Sequence, residues 1–430
     1  MSLLPLSLIG YRLITGLVSP LSGALLSLRL NKAKEDPMRI DERRGLAGLA
    51  RPAGQLVWLH GASVGEALSL MPLVERLAGG GRHALVTTGT VTSARLLAQR
   101  LPPGALHQFA PLDTPGFMRR FFVHWRPDLG LIAESEIWPN MILEARRAGA
   151  PLAMVNARMS ARSYERWRRA PDFIGALLGQ VELCLAQSQA DAQRLAALGA
   201  AKVDVVGNLK YDAAPPPADQ KELAELAGRV SGRQIWVAAS THAGEERIAA
   251  EAHRRVAQVF PDVLTLVAPR HPERGAEIAD ELRALGLTCA LRSRGERPER
   301  GVDVYICDTL GELGLFYRLA GVVLAGKSFV GEGGQNPIEA AKLGCAILHG
   351  PNVANFTDVY ALLDETGGAA TVTGADDLAA TLVALFADPG RLRAMARAAA
   401  KAVEAQGGAA DRVMRAIAPL LPADEPPAAA

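Results

Sequence analysis

Cysteine is scarce in this chain, and the four present, Cys184, Cys289, Cys307 and Cys345, lie far apart with no C-x-x-C pair. That excludes a disulfide scaffold, argues against a cysteine-built zinc site and fits a reducing compartment. Neither sign of charge dominates, since 47 basic residues stand against 45 acidic ones for a net charge of +2. Without a basic excess there is no global signature of polyanion binding, and no nucleic-acid partner is expected. Repeats and low-complexity tracts are lacking too: the 42 glycines and 27 prolines are scattered between elements, which excludes collagen-like readings. Hydrophobic residues at 49% and charged ones at 21% exclude a disordered chain and a coiled coil. At 430 residues the chain is too long for one ordinary domain and fits two of roughly 150–200 residues. A soluble two-domain α/β protein is the expectation, with an exception at its start.

The exception is MSLLPLSLIGYRLITGLVSPLSGALLSLRL (1–30), where the charges are Arg12 and Arg29, with 16 residues between them. That run falls short of the roughly 20 residues that cross a bilayer core. A membrane anchor over 1–30 is expected, crossing where Arg12 snorkels and otherwise lying in the interface. A cleaved signal peptide is disfavoured, because no small-x-small site follows before the charges begin. Arg29, Lys32, Lys34, Arg39, Arg43 and Arg44 come next, mixed with acids, and basic flanks stay cytoplasmic, so the bulk of the chain should too. The alternative is a buried helix of the first domain.

From about residue 54, short apolar runs alternate with helical patterns. QLVWLH (55–60), HALVTT (83–88), LGLIA (129–133), LAMVN (152–156) and LCLAQ (183–187) read as buried strands, and 66–78 and 136–148 as helices. Repeated βα units imply a parallel sheet. GNLKYDAAPPPADQ breaks the rhythm with three successive prolines and reads as a linker, taken as 207–222. The pattern restarts at QIWVAA (234–239), VLTLVA (263–268), DVYIC (303–307), GVVLA (321–325) and CAILH (345–349). The organisation expected is an anchor (1–30), a first Rossmann-like domain (31–206), the linker, a second such domain (223–421) and a tail (422–430). Such folds bind ligands at the carboxyl ends of their strands.

Several residues could carry chemistry. HGASVGE (60–66) ends a strand at a helix start, so Glu66 could take a proton from an acceptor hydroxyl. Ser63-x-x-Glu66 is equally a capping box, and spacing alone favours the cap. In LIAESEIWPN (131–140), Glu134 and Glu136 point to opposite sides of an extended chain, so one should face the site; alternatively the pair caps the helix that Pro139 starts. Arg158, Arg162 and Arg166, at i, i+4, i+8, would line one helix face with guanidinium groups suited to phosphates or form a solvated face. APRHPER (268–274) offers Arg270, His271 and Arg274 as a phosphate grip. In DTLGELGLFYRLAG (308–321), Gly311 and Glu312 stand at a helix start. In GEGGQNPIEAAKLG (331–344), Asn336 reads as N-cap, Pro337 as the first helical residue and Glu339 as the reciprocal partner of a capping box, a geometry that also offers N–H groups to an anion. No D-x-D or H-E-x-x-H occurs and the eight histidines are scattered, so no metal site is expected.

HGASVGE, ESEIWPN, NARMSARS, GNLKYD, STHAGEE, PRHPER, LGEL and GGQNPIEAA together resemble, in order and approximate spacing over nearly the whole chain, the 3-deoxy-D-manno-octulosonic acid (Kdo) transferases. The resemblance implies a two-domain GT-B glycosyltransferase with a membrane-associated N-terminus on the cytoplasmic side of the inner membrane. It implies transfer of Kdo from CMP-Kdo to a lipid A precursor with inversion, and without cofactor or metal. Carried over by motif, Glu66 is the general base, Glu136 and Lys210 stabilise the transition state, and Pro269, Arg270, Leu310, Gly311, Glu312, Asn336, Pro337, Ile338 and Glu339 hold CMP. One departure stands out: where many members have a Gly-Gly-Ser turn, this chain reads GKSF, with Lys327 in a glycine's place. The rivals are a GT-B enzyme with a UDP-sugar donor and a membrane-tethered, non-catalytic binding protein. Against the first stands the lack of a paired-acid motif near the second nucleotide loop. Against the second stands the joint presence of Glu66, Glu136 and Lys210.

Overall fold

The computed structural model describes residues 4–331 and 333–422; beyond Pro422, the expected tail lies outside the described residues. The chain forms two compact units, one of residues up to 213 with those from 407 onward, the other of 214–406.

The first unit is built on seven strands: β1 (Leu56–His60), β2 (His83–Thr88), β3 (Ala105–Phe109), β4 (Leu129–Ala133), β5 (Leu152–Ala157), β6 (Leu183–Ala186) and β7 (Val203–Val205). They pair in parallel in the order β3-β2-β1-β4-β5-β6-β7. Helices cover both faces, which is why β1 and β4 are buried throughout and read as unbroken apolar runs. Trp58 shows how tightly the register is set. It lies opposite Leu85 on one side and Gly130 on the other, and its ring meets Phe121 and Phe122 edge-on at 5.7 and 5.2 Å. A Cβ at position 130 would come within 2.8 Å of that ring, so glycine is required there.

The second unit holds β8 (Ile235–Thr241), β9 (Leu264–Pro269), β10 (Cys289–Leu291), β11 (Val304–Ile306), β12 (Val322–Ala325), β13 (Ala346–His349) and β14 (Ala369–Thr371). Their order is β10-β11-β9-β8-β12-β13-β14, again all parallel. In each sheet the strand order reverses at one point, between β1 and β4 in the first and between β8 and β12 in the second. Both units are thus doubly wound, and the crevice outside such a reversal is where folds of this kind bind ligands.

The second domain expected from the sequence ran to residue 421, whereas the helix Ala409–Ile417 belongs to the first unit. Ala409, Ala410, Val413 and Ile417 make one apolar face that joins the core of Leu70, Leu73, Val206 and Leu209. The carboxylate of Asp212 accepts from Gly408 N–H and Ala410 N–H, both at 2.6 Å, and so closes the N-terminus of that helix.

At the other end, the helices Leu6–Leu17 and Ser19–Asn31 form a pair bent by 45°; among the described residues no single helix is long and apolar enough to cross a membrane. Arg12 does not snorkel. Its side chain, 11% exposed, turns inward to Glu144, which is 3% exposed, at 2.6 Å. Tyr11 donates to Asp113 at 2.9 Å, and Leu8 enters the core of the first unit. Leu6, Leu13, Ile14, Leu17, Leu21, Leu25 and Leu28 remain exposed.

Candidate active site

β1 ends at His60, whose ring is 2% exposed and sits 2.9 Å from Thr87 Oγ1, which also accepts from Trp58 Nε1 at 2.8 Å. The chain then turns at Gly61, where a Cβ would lie 2.9 Å from Glu66 Cβ. The helix Val64–Gly79 starts with a complete capping box: Glu66 N–H donates to Ser63 Oγ at 3.3 Å, and Ser63 N–H donates to Glu66 Oε2 at 3.1 Å. The cap uses one carboxylate oxygen, and Oε1 makes no hydrogen bond among the described residues. Burial first, and then the neighbouring charges of Glu136 and Glu134, push the Glu66 carboxyl above the ordinary value, with the Ser63 bonds offsetting part of that rise.

Glu134 and Glu136 follow β4, and here the reading from strand alternation fails. The backbone is not extended: Glu134 has a φ of +49°, and Glu136 N–H bonds back to Ala133 O. Both carboxylates therefore lie near enough to raise Glu66. Neither caps the next helix. That helix, Pro139–Arg147, does begin with Pro139, but its first N–H groups, from Asn140 and Met141, donate to Asp113 at 3.1 and 2.8 Å.

Lys210 follows β7 on a short 3₁₀ turn, Leu209–Tyr211, whose start is held by Asn208 and by Asn156 Oδ1, which accepts from Leu209 N–H at 2.9 Å. Its ammonium pairs with Glu134 Oε1 at 2.6 Å. Glu136 instead accepts from Trp138 Nε1 at 2.6 Å and has His60 Nε2 at 3.7 Å. Burial alone would raise the Glu136 carboxyl, but His60 and Trp138 outweigh it and hold the group below its usual value. Glu66, Glu136 and Lys210 are thus gathered around the reversal between β1 and β4 together with Glu134, the other carboxylate of the pair read from the sequence, and with His60 and Trp138 as the residues that sequence reasoning missed. The position of His60, as the last residue of a strand running into a small-residue turn, was the available signal.

The nine residues expected to hold CMP all lie in the second unit, Pro269 as the last residue of β9 and the others past the ends of β9, β11 and β12. Arg270 is exposed and its N–H is fixed on Thr241 O at 3.0 Å. Arg274, read as part of the same grip, is committed to buried Glu246 at 2.8 Å and to Glu277. Leu310 is exposed, Gly311 has a φ of +83°, and Glu312 binds Arg292 through both oxygens at 2.5 and 2.6 Å. Burial opposes ionisation of Glu312, but Arg292 and Thr309 prevail and its carboxyl lies below its ordinary value. Glu312 borders a polar cavity of about 360 Å³ with Thr309, Arg292, Arg297, Glu222 and Asp219. Asn336 Oδ1 accepts from Ile338 N–H at 3.0 Å, and the helix it leads into, Ile338–Lys342, has five residues and starts one residue after Pro337. Pro337 and Ile338 are buried, so they offer a ligand their backbone. The expected guanidinium row is also shortened: the helix is Ala161–Trp167, and Arg158 precedes it.

Two doubly wound domains, each with its polar residues at the strand-order reversal, define the GT-B class of glycosyltransferases. A putative UDP-N-acetylglucosamine 2-epimerase from Listeria monocytogenes shares the fold, with a TM-score of 0.60 at 16% identity, covering 85% of this chain and 96% of its own. A family profile described as 3-deoxy-D-manno-octulosonic-acid transferase (kdotransferase) matches residues 38–213, which include Glu66, Glu134, Glu136 and Lys210. The 3-deoxy-D-manno-octulosonic acid transferase of Bordetella pertussis is 37% identical over 389 residues, 87% of this chain and 90% of that protein. That of Haemophilus influenzae is 31% identical over 409 residues, 94% of this chain and 96% of its own. The chain belongs to the 3-deoxy-D-manno-octulosonic acid (Kdo) transferase family.

Proposed function

We propose that the chain transfers Kdo from CMP-Kdo to a hydroxyl of a lipid A precursor, with inversion and without a metal ion, at the cytoplasmic side of the inner membrane. The observation that carries this reading is the state of Glu66. Its carboxyl is raised above its ordinary value, one oxygen is uncommitted among the described residues, and it stands at the strand-order reversal. Glu66 takes the proton of the acceptor hydroxyl as the oxygen attacks the anomeric carbon from the face opposite CMP, which leaves as a phosphate monoester. Lys210, oriented by Glu134, and Glu136, kept ionised by Trp138 and His60, set the field in which charge develops. CMP is held by Arg270, by the turn Leu310–Gly311–Glu312 and by the Asn336–Glu339 stretch. The exposed leucines of the bent N-terminal pair, pinned beneath by Arg12 and Tyr11, support its lying on the bilayer that carries the acceptor.

The test separates cap from base. Glutamine can complete a capping box, so Glu66→Gln keeps the helix start while removing the base. With CMP-Kdo, tetra-acylated lipid A precursor and EDTA, the wild type should give Kdo-bearing product by mass. The variant should lose roughly 10²–10⁴-fold in kcat with its thermal midpoint retained. Near-full activity of Glu66→Gln would return Glu66 to a purely structural role, and a wild type that neither turns over CMP-Kdo nor binds CMP would turn the reading towards a UDP-sugar donor.

A further inference from the structure

The second sheet reverses its order between β8 and β12, and the loops leaving those two strands are tied together by a single buried carboxylate. Glu245, 1% exposed, accepts through Oε2 from His242 N–H at 2.9 Å and Lys327 N–H at 2.6 Å. Through Oε1 it accepts from Ser328 N–H and Phe329 N–H at 2.9 and 3.0 Å. With four donors on two oxygens, Glu245 is an anchor and not a ligand. The loops also touch directly, since a Cβ on Gly326 would come within 2.4 Å of Ser240 O.

Two side chains, Lys327 and His242, project from this anchor. Lys327 has a φ of +54°, a conformation L residues rarely adopt. Its stem lies across Gly333, where a Cβ would fall 2.5 Å from Lys327 Cγ. Among the described residues its ammonium has no hydrogen bond or ion pair. His242 stands edge-on to His271, ring centroids 6.1 Å apart, and its Nδ1 is buried without a hydrogen-bond partner. Burial lowers the His242 imidazole from its ordinary value, aided by the nearby charges of Lys327 and His271 and opposed by Glu245 and the Ser240 backbone, so at neutral pH it is an uncharged donor. Exposed His271 has a carboxylate of its own, Glu273, at 3.6 Å.

Neither Lys327 nor His242 is among the residues expected to hold the nucleotide. The donor read above carries two anionic groups on one anomeric carbon, a phosphodiester and a carboxylate, and a neutral hexose donor has only the first. The turns past β9 and β11 and the Asn336–Glu339 stretch are read above as holding the nucleotide, and none of those residues is assigned to the carboxylate. We propose that Lys327 and His242 form the subsite for the carboxylate of the donor sugar, Lys327 as its ion-pair partner and His242 as a hydrogen-bond donor. This assignment rests on the CMP-Kdo reading and makes Lys327 a determinant of donor specificity.

The experiment uses Lys327→Gly in the full chain, because glycine removes the cation and also relieves the left-handed backbone, so a loss of function cannot be ascribed to a misfolded loop. Three quantities are measured: the KM for CMP-Kdo, the inhibition constant of CMP alone and the thermal midpoint. The expected result is a KM for CMP-Kdo raised roughly tenfold or more, an unchanged inhibition constant for CMP, a midpoint no lower than wild type, and recovery of most of the affinity in Lys327→Arg. An unchanged KM overturns the subsite. A parallel weakening of CMP overturns the carboxylate assignment, because the cation would then serve the phosphate. A wild type that neither turns over CMP-Kdo nor binds CMP defeats the donor reading itself, a result distinct from either.

Discussion

Lys210 Nζ lies 2.6 Å from Oε1 of Glu134, a residue held in a left-handed turn at the end of β4, and that pairing sets the charge seen by Glu66. The cation neutralises one of the two carboxylates that raise the base. Lys210→Met should therefore expose Glu66 to the full charge of Glu134 and raise its carboxyl further, while Glu134→Gln should lower it. Glu66 acts as a base when ionised, so the acidic limb of the pH–kcat/KM profile should move to higher pH in Lys210→Met and to lower pH in Glu134→Gln. The lysine variant should also lose about 10²-fold in kcat. Shifts in the same direction for both variants would contradict the assignment of Glu66 as the titrating base.

The apolar face of the N-terminal pair makes its own prediction. Leu13 and Leu17 are 61% and 79% exposed, and a leucine transferred from water to hydrocarbon contributes roughly 1.5–3 kcal/mol. Leu13→Asp and Leu17→Asp should each weaken binding to phosphatidylglycerol-containing vesicles by roughly tenfold or more in a sedimentation assay. Neither should lower the thermal midpoint, since neither side chain is packed against the protein. Wild-type retention on vesicles by both variants would remove the support for membrane docking through this face.

Glu312 is held by Arg292, which is itself largely buried and also meets Glu222 at 2.8 Å. Removing the carboxylate strips a largely buried guanidinium of its two-point partner and leaves it Glu222 and the Tyr305 hydroxyl. Glu312→Ala should cost about 2–3 kcal/mol in urea unfolding. Because the arginine fixes how the carboxylate is presented, Arg292→Met should weaken CMP binding by calorimetry, although Arg292 is outside the expected nucleotide set. Undiminished CMP affinity in Arg292→Met would show that the nucleotide relies on the backbone of this turn.

What the sequence made legible, and what it did not, follows the burial of each strand. The ten strands read from apolar runs are the interior strands of the two sheets, and the four it did not show, β3, β7, β10 and β14, are the four edges. An edge strand pairs on one side and is short here, three residues in β7, β10 and β14, so it carries no continuous apolar signature. At Glu66 and Lys210 the roles came from the motif resemblance, since spacing alone favoured a cap at Glu66 and placed Lys210 in a linker. The candidate site was misread where the backbone departs from regular geometry: alternation sends Glu134 and Glu136 apart, and a single left-handed residue brings them together. His60 was passed over because a buried strand-terminal histidine looks like core until the carboxylate beside it is seen.

The return of the helix Ala409–Ile417 to the first unit has a consequence for synthesis. Leu70, Leu73 and Val206 are made early, yet the side chains that cover them, Val413 and Ile417 among them, arrive only after all of residues 214–406. During translation the second unit has its complete set of strands before the first has its last helix. The half of the chain carrying Glu66 thus emerges first and finishes last, with an apolar surface open for the chaperones that scan nascent chains.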